Sequence, residues 1–206
     1  MELDLSHLVA LAAALGWASG MRLYAVVFLT GAVGYLGWVP LPAGLQLLQH
    51  PMVLGASLLL LVTEFVADKV PGVDTLWDAV HTFIRIPAGA ALAAATIGGD
   101  SAAWSLVAAL AGGTLAATAH AAKATTRAAA NTSPEPFSNI GLSLLGDVAV
   151  PAMLWLAWSH PLWFWPALAV ALAVALTLLV VLFRFLRGLF GRVPRPAVAA
   201  NQVAAP

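Results

Sequence analysis

Apolar residues fill this chain in long runs, broken at only a few places. The segments "LVALAAALG", "MVLGASLLLLV", "PAGAALAAATIGG" and "ALAVALAVALTLLVVLF" carry no charge at all. A helix that crosses a bilayer needs about 20 such residues. Six stretches meet that need, at 6–36, 51–69, 75–98, 102–127, 137–159 and 162–187. No repeated alternation of polar and apolar positions runs through them, so the pattern selects helices over a barrel. The predicted fold is an all-α, polytopic transmembrane helical bundle of about six spans, some of them broken or re-entrant.

The interruptions place the connections. "GWVPLPAG" (37–44) reads as a turn, and "NTSPEPFSN" (131–139) as a loop feeding the next helix. Residues 1–190 form one transmembrane domain, and 191–206 form a basic tail expected to be disordered. "GWASGMR" interrupts the first span, where Gly16 and Gly20 permit a bend beside Arg22. Pro87 and Pro151 are expected to break their helices, because proline removes a donor and frees the carbonyl four residues earlier.

Composition agrees with the pattern. Of 206 residues, 62% are hydrophobic and 9% charged, with mean hydropathy +0.93, against about 25% charged in a soluble domain. Such a chain belongs in lipid, where every backbone polar group must be satisfied internally. The net charge of zero gives no case for nucleic acid, and the absence of cysteine excludes thiolate chemistry. The acidic start "MELDLSHL" lacks the basic region of a signal peptide and reads as the first span.

Charge distribution sets an orientation. With six spans, Lys69, Lys123, Arg127, Arg184, Arg187, Arg192 and Arg195 fall at one side, and the loops of the other side hold no Lys or Arg. The positive-inside rule then makes both termini cytoplasmic. Trp38, Trp155, Trp158, Trp163 and Trp165 crowd the opposite side as an aromatic belt. Two short matches, 8–16 with 106–114 and 54–61 with 140–147, suggest an inverted repeat of three spans.

The remaining charges are concentrated in "TEFVADKVPGVDTLWDAVHTFIR" (63–85) and on two later helices. Glu64 and Asp68 are four apart and share a face. Asp78, His81 and Arg85 share another, as do His120, Lys123 and Arg127, and then Asn139, Ser143 and Asp147. Arg85 and Asp147 each lie about 15 Å along their helices. A central Arg, Lys or Asp costs about 2.5–3.5 kcal/mol to insert, so such residues face the bundle interior, pair, or touch water. Lys69 and Asp74 read instead as headgroup-layer residues at a helix end. "TLWDAVHTFIR" is amphipathic enough to lie flat in the interface, but the remaining 13 residues of "PAGAALAAATIGG" would then be too short to span. His81 and His120 suit either a proton relay or structural hydrogen bonding. Glu64, Asp68, Asp78 and His81 are of a type that ligates cations, though no metal motif is present.

"GWASGMRLYAVVFLTG", "EFVADKVPGVDTLWDAVHTFIRIPAGA" and "NTSPEPFSNI" with Asp147 resemble a family of small bacterial membrane proteins, catalogued as domain of unknown function 4126. The resemblance spans about residues 8–160. It implies a multi-span protein of the bacterial inner membrane, and it assigns no substrate, cofactor or catalytic residue.

Three functions fit these observations. One is a transporter or channel that carries a small, anion-like solute or ion through a cytoplasm-facing polar cavity built from Arg22, Glu64, Asp68, Asp78, His81, Arg85, His120, Lys123, Arg127, Asn139 and Asp147. Another is a protein or enzyme that handles lipid phosphate, although no H-E-x-x-H or G-x-S-x-G pattern occurs. The third is a structural subunit whose ionic network serves packing alone. Beyond the lipid bilayer and an unidentified solute, a homodimer is the partner that six short spans leave room for; no motif demands it.

Overall fold

The computed structural model describes residues 4–70, 72–98, 102–132 and 137–190. Six α-helices follow one another: α1 (Leu5–Tyr35), α2 (Pro51–Ala67), α3 (Val73–Ile97), α4 (Ala102–Ala130), α5 (Phe137–Ser159) and α6 (Pro161–Phe190). A short 3-10 helix, Ala43–Gln49, precedes α2. Among the described residues there is no strand. All but α2 are long and apolar enough to cross a membrane alone. The 3-10 helix and α2, bent by 70° at His50, are long and apolar enough only when taken together. The chain is a multi-pass helical membrane protein.

Local chemistry sets the helix starts. Asp4 caps α1, its carboxylate accepting from the His7 backbone N–H at 3.0 Å. Pro51 opens α2 behind the His50 imidazole, which accepts from the Met52 N–H at 3.2 Å. Gly72 starts α3 with φ +86°, a left-handed conformation that glycine adopts without penalty.

α1 is the axis of the bundle. Its most apolar window is 72% buried, against 11% for α6. The helix is not continuous: Arg22 has φ −148° and ψ 85°, and the helix divides there. Residues 5–21 run alongside α4 in the same direction, Gly16 against Gly112 and Gly20 against Ala116. After Arg22 the chain turns back. Tyr24 meets His81 near the start of α3, Gly31 abuts Leu48, and Gly44 abuts Ala95 near the end of α3. Both ends of α1 therefore lie at the end of the bundle where α3 finishes and α4 begins. An apolar groove of about 1050 Å³ confirms the register, because Leu5 and Val9 line it with Gly98, Trp104 and Trp165.

This fold-back corrects several expectations. Gly16 and Gly20 do not supply the bend. They are the points where α4 approaches: a Cβ on Gly20 would overlap the Ala116 carbonyl, and one on Gly16 would lie 2.6 Å from the Gly112 Cα. The break falls on Arg22 itself. Pro87 and Pro151 do not divide their helices, since α3 and α5 run through them. The segments 8–16 and 106–114 lie in helices that run in the same direction, whereas 54–61 and 140–147 lie in helices that run in opposite directions, since α2 ends where α5 begins. The α1 start also lies at the opposite end of the bundle from Arg184 and Arg187 on α6.

The bundle thus has two chemically distinct ends. Trp104, Trp155, Trp163 and Trp165 are exposed toward one, with Trp38, while Trp158 turns into the core. Lys69, Lys123 and Arg127 occur toward the other, where α2 and α4 end and α3 and α5 begin. Between them the flanks are apolar and exposed, with Phe83, Leu145, Val148 and Leu162 each more than 60% open. In water such a surface would be costly; against lipid tails it is not. Arg192, Arg195, Glu135 and the tail 191–206 lie outside the described residues.

Candidate functional site

The break in α1 is also where the charges meet. Arg22, now at the turn between two helical halves, reaches Asp68 at 3.1 Å through Nη2 and Asp147 at 2.9 Å through Nε. Its Nη2 also donates to the Ser143 carbonyl at 3.1 Å and hydroxyl at 2.8 Å. The last carbonyl before the break, that of Met21, accepts from Lys123 Nζ at 3.0 Å. A helix C-terminus has unsatisfied carbonyls and partial negative charge, which a lysine neutralises.

Two carboxylates act as hubs. Asp68 contacts Arg22, Lys123 and Arg127, at 3.1, 3.1 and 2.7 Å. Asp78 contacts Arg85, Lys123 and Arg127, at 2.7, 3.3 and 3.6 Å. Glu64 closes on Arg85 at 2.5 Å, and Lys69 closes on Asp147 at 3.4 Å. Helical spacing explains how α2, α3 and α4 each offer two or more charges to one point: Glu64 and Asp68, Asp78 and Arg85, and Lys123 and Arg127 are each stacked on one face.

Counted among the described residues, this network holds five cations (Arg22, Lys69, Arg85, Lys123, Arg127) and four carboxylates (Glu64, Asp68, Asp78, Asp147). It carries an excess of one positive charge when all are ionised. Most of it is sealed, with Arg85 and Glu64 at 0% exposure. Only Lys69 (22%) and Asp147 (21%) reach its surface. Four buried atoms in it have no hydrogen-bond partner: Arg22 Nη1, Glu64 Oε2, Asp78 Oδ2 and Arg85 Nε.

The two histidines are held in defined tautomers. Arg85 Nη1 can only donate, so His120 Nδ1, 3.2 Å away, accepts, and the ring proton sits on Nε2. That Nε2–H faces the Thr82 hydroxyl at 2.7 Å, and Thr82 in turn donates to the Asp78 carbonyl at 2.9 Å. His81 donates from Nδ1 to the Trp77 carbonyl at 2.8 Å, so its Nε2 accepts from the Tyr24 hydroxyl at 3.0 Å. His81 also stacks on the Trp77 ring. Both imidazoles have both nitrogens hydrogen-bonded.

Of the expected site residues, Arg22, Glu64, Asp68, Asp78, Arg85, His120, Lys123, Arg127 and Asp147 come together. His81 stands beside them through Tyr24. Asn139 does not join: its amide bonds to Asn131, which reaches Asp74 and Thr75. Lys69 and Asp74, expected at the headgroup layer, both make contacts within the protein. Lys69 is a network member, and Asp74 is fully buried, accepting from the Gly72 and Thr75 N–H groups at 2.8 and 2.6 Å. Glu64, Asp68, Asp78 and His81 carry side chains of a cation-ligating type, and no metal motif joins them in the sequence. Among the described residues no group of three such side chains could hold a metal ion, because arginine and lysine stand between the carboxylates. Tyr24 and Thr82 were missed. Thr82 could have been found, since it lies four after Asp78 and three before Arg85, on their face. Tyr24 lies past the break, where no periodicity points to it.

A family model described as a domain of unknown function (DUF4126) matches residues 9–184. No curated protein and no solved structure matches the chain.

Proposed function

The chain belongs to the DUF4126 family, which is defined by sequence and not by an activity, and from that premise we propose that it moves a small anionic solute across the bacterial inner membrane. The observation that carries the reading is the meeting of five cations and four carboxylates at a helix break inside a lipid-facing bundle. A broken helix brings backbone dipoles to mid-bundle, and transporters use such breaks to hold ions and charged groups. The excess positive charge favours an anion, and the opening at Lys69 and Asp147 gives it a point of entry. The basic end faces the cytoplasm by the positive-inside rule. The acidic, lysine-free start of α1 then faces outward, with α6 ending inside.

One observation favours a different reading. Nearly every charge in the network already has a partner, as expected of a clasp that only fixes helix packing. Proteoliposome uptake separates the two. The transport reading predicts saturable uptake of at least one small anion above protein-free vesicles, and its loss in Arg85→Ala and Asp147→Ala. Absence of uptake across anions, amino acids and cations would leave the clasp.

A further inference from the structure

The edge of the network has the form of an occupied carboxylate site. Asp147 presents one oxygen to Arg22 Nε at 2.9 Å and the other to Lys69 Nζ at 3.4 Å. The Ser143 hydroxyl, one turn earlier on α5, takes donors from the same two cations, at 2.8 Å from Arg22 and 3.2 Å from Lys69. Lys69 is further held by the Phe65 carbonyl at 3.2 Å and lies over the Phe65 ring. These groups come from three helices and converge on one carboxylate.

Asp147 differs from the other acids in the network. Asp68 and Asp78 are hubs with three cations each, and Glu64 is sealed against Arg85. Asp147 touches two cations, Lys69 at the exposed edge of the network and the buried Arg22 behind it. Arg22 also keeps one buried donor, Nη1, unused. A guanidinium and an ammonium that share one carboxylate, with a spare donor behind, are suited to exchange that carboxylate for another. Next to it, Gly146 leaves room: an added Cβ would stand 3.5 Å from Arg22 Nε, ordinary contact distance.

We propose that Asp147 is a resident competitor in a binding site for small carboxylates, formed by Arg22, Lys69 and Ser143. The solute's carboxylate enters beside Lys69 and takes the place of the Asp147 carboxylate on both cations. No bond is made or broken. One ion pair replaces another, so the network's charge changes only by that of the solute. This rests on the transport reading above and names the class of solute.

Calorimetric titration of the purified full chain in detergent with sodium acetate, with sodium chloride at matched ionic strength as the control, tests it. Asp147→Asn removes the competitor's charge and keeps its shape. Acetate is expected to bind this variant at least tenfold more tightly than the natural protein, and Lys69→Gln added to it is expected to abolish the gain. Equal acetate affinity in Asp147→Asn and the natural protein would overturn the proposal, as would a gain that survives Lys69→Gln. If Asp147→Asn fails to fold, Lys69→Gln alone decides: a loss of acetate affinity of fivefold or more supports the site, and no loss overturns it. Uptake of some other anion, with no acetate effect in these variants, would sink the carboxylate site and leave the transport reading standing. Acetate binding without uptake of any solute would do the reverse.

Discussion

Arg85 on α3 and Glu64 on α2 meet at 2.5 Å, and neither side chain is exposed at all. The pair joins two helices that otherwise touch little, and it stands where neither charge has water to fall back on. Removing Arg85 leaves Glu64 buried without its cation, a loss of about 3–5 kcal/mol. We therefore expect Arg85→Met to lower the melting temperature in detergent strongly. Glu64→Leu combined with it should recover much of the loss, which a double-mutant cycle would record as a positive coupling. Additive losses would mean that the pair does not act as a unit.

Glycine substitutions should separate sharply by position. Gly20→Leu drives a side chain into the Ala116 carbonyl, and overpacking of this kind costs about 1–3 kcal/mol or more. Gly55→Ala and Gly141→Ala meet nothing within 4 Å and lie within helices. They should be neutral or should raise stability by up to about 1 kcal/mol. Thermal melts of the three variants check the order.

Topology is open to a direct probe because the chain has no cysteine. Ser6, Gln46 and Thr132 are exposed. Ser6→Cys and Gln46→Cys should label with an impermeant thiol reagent from one side of the membrane, and Thr132→Cys from the other. Labelling of Ser6→Cys and Thr132→Cys from the same side would contradict the fold-back at Arg22.

The tautomer of His120 follows from Arg85 alone. Nitrogen-15 NMR of the protein in bilayers at pH 7 should show His120 neutral with its proton on Nε2, and His81 neutral with its proton on Nδ1. A doubly protonated His120 would require Arg85 to have left it.

Much of this site could be read in the sequence, and the reason is periodicity. Charges three, four and seven apart on a helix must share a face, so the stripes of α2, α3, α4 and α5 are visible in the sequence. What periodicity cannot supply is the partner across a helix boundary. Nothing in the order of residues pairs Asp68 with Arg22 or makes Lys123 bridge Asp68 and Asp78. Nor does a local pattern assign the break to Arg22. Gly16 and Gly20 drew attention as flexible residues, yet their role is close approach to α4, a tertiary cause. Pro87 and Pro151 show the same limit from the other direction: a helix held by neighbours runs through a residue that would end it in isolation. Lys69 sits just past the end of α2, where headgroups are the default company, and only the position of α5 shows its partner, Asp147.

The central claim is that this ionic network handles a solute and is more than a clasp. Lys69→Gln, with uptake and melting temperature measured on one preparation, tests it most directly. Lys69 is the most exposed cation of the network, so its loss should shift the melting temperature by only a few degrees. The account predicts that uptake of a small anion falls tenfold or more while the fold stays nearly as stable. Uptake that is unchanged, or that falls only in step with stability, would contradict it.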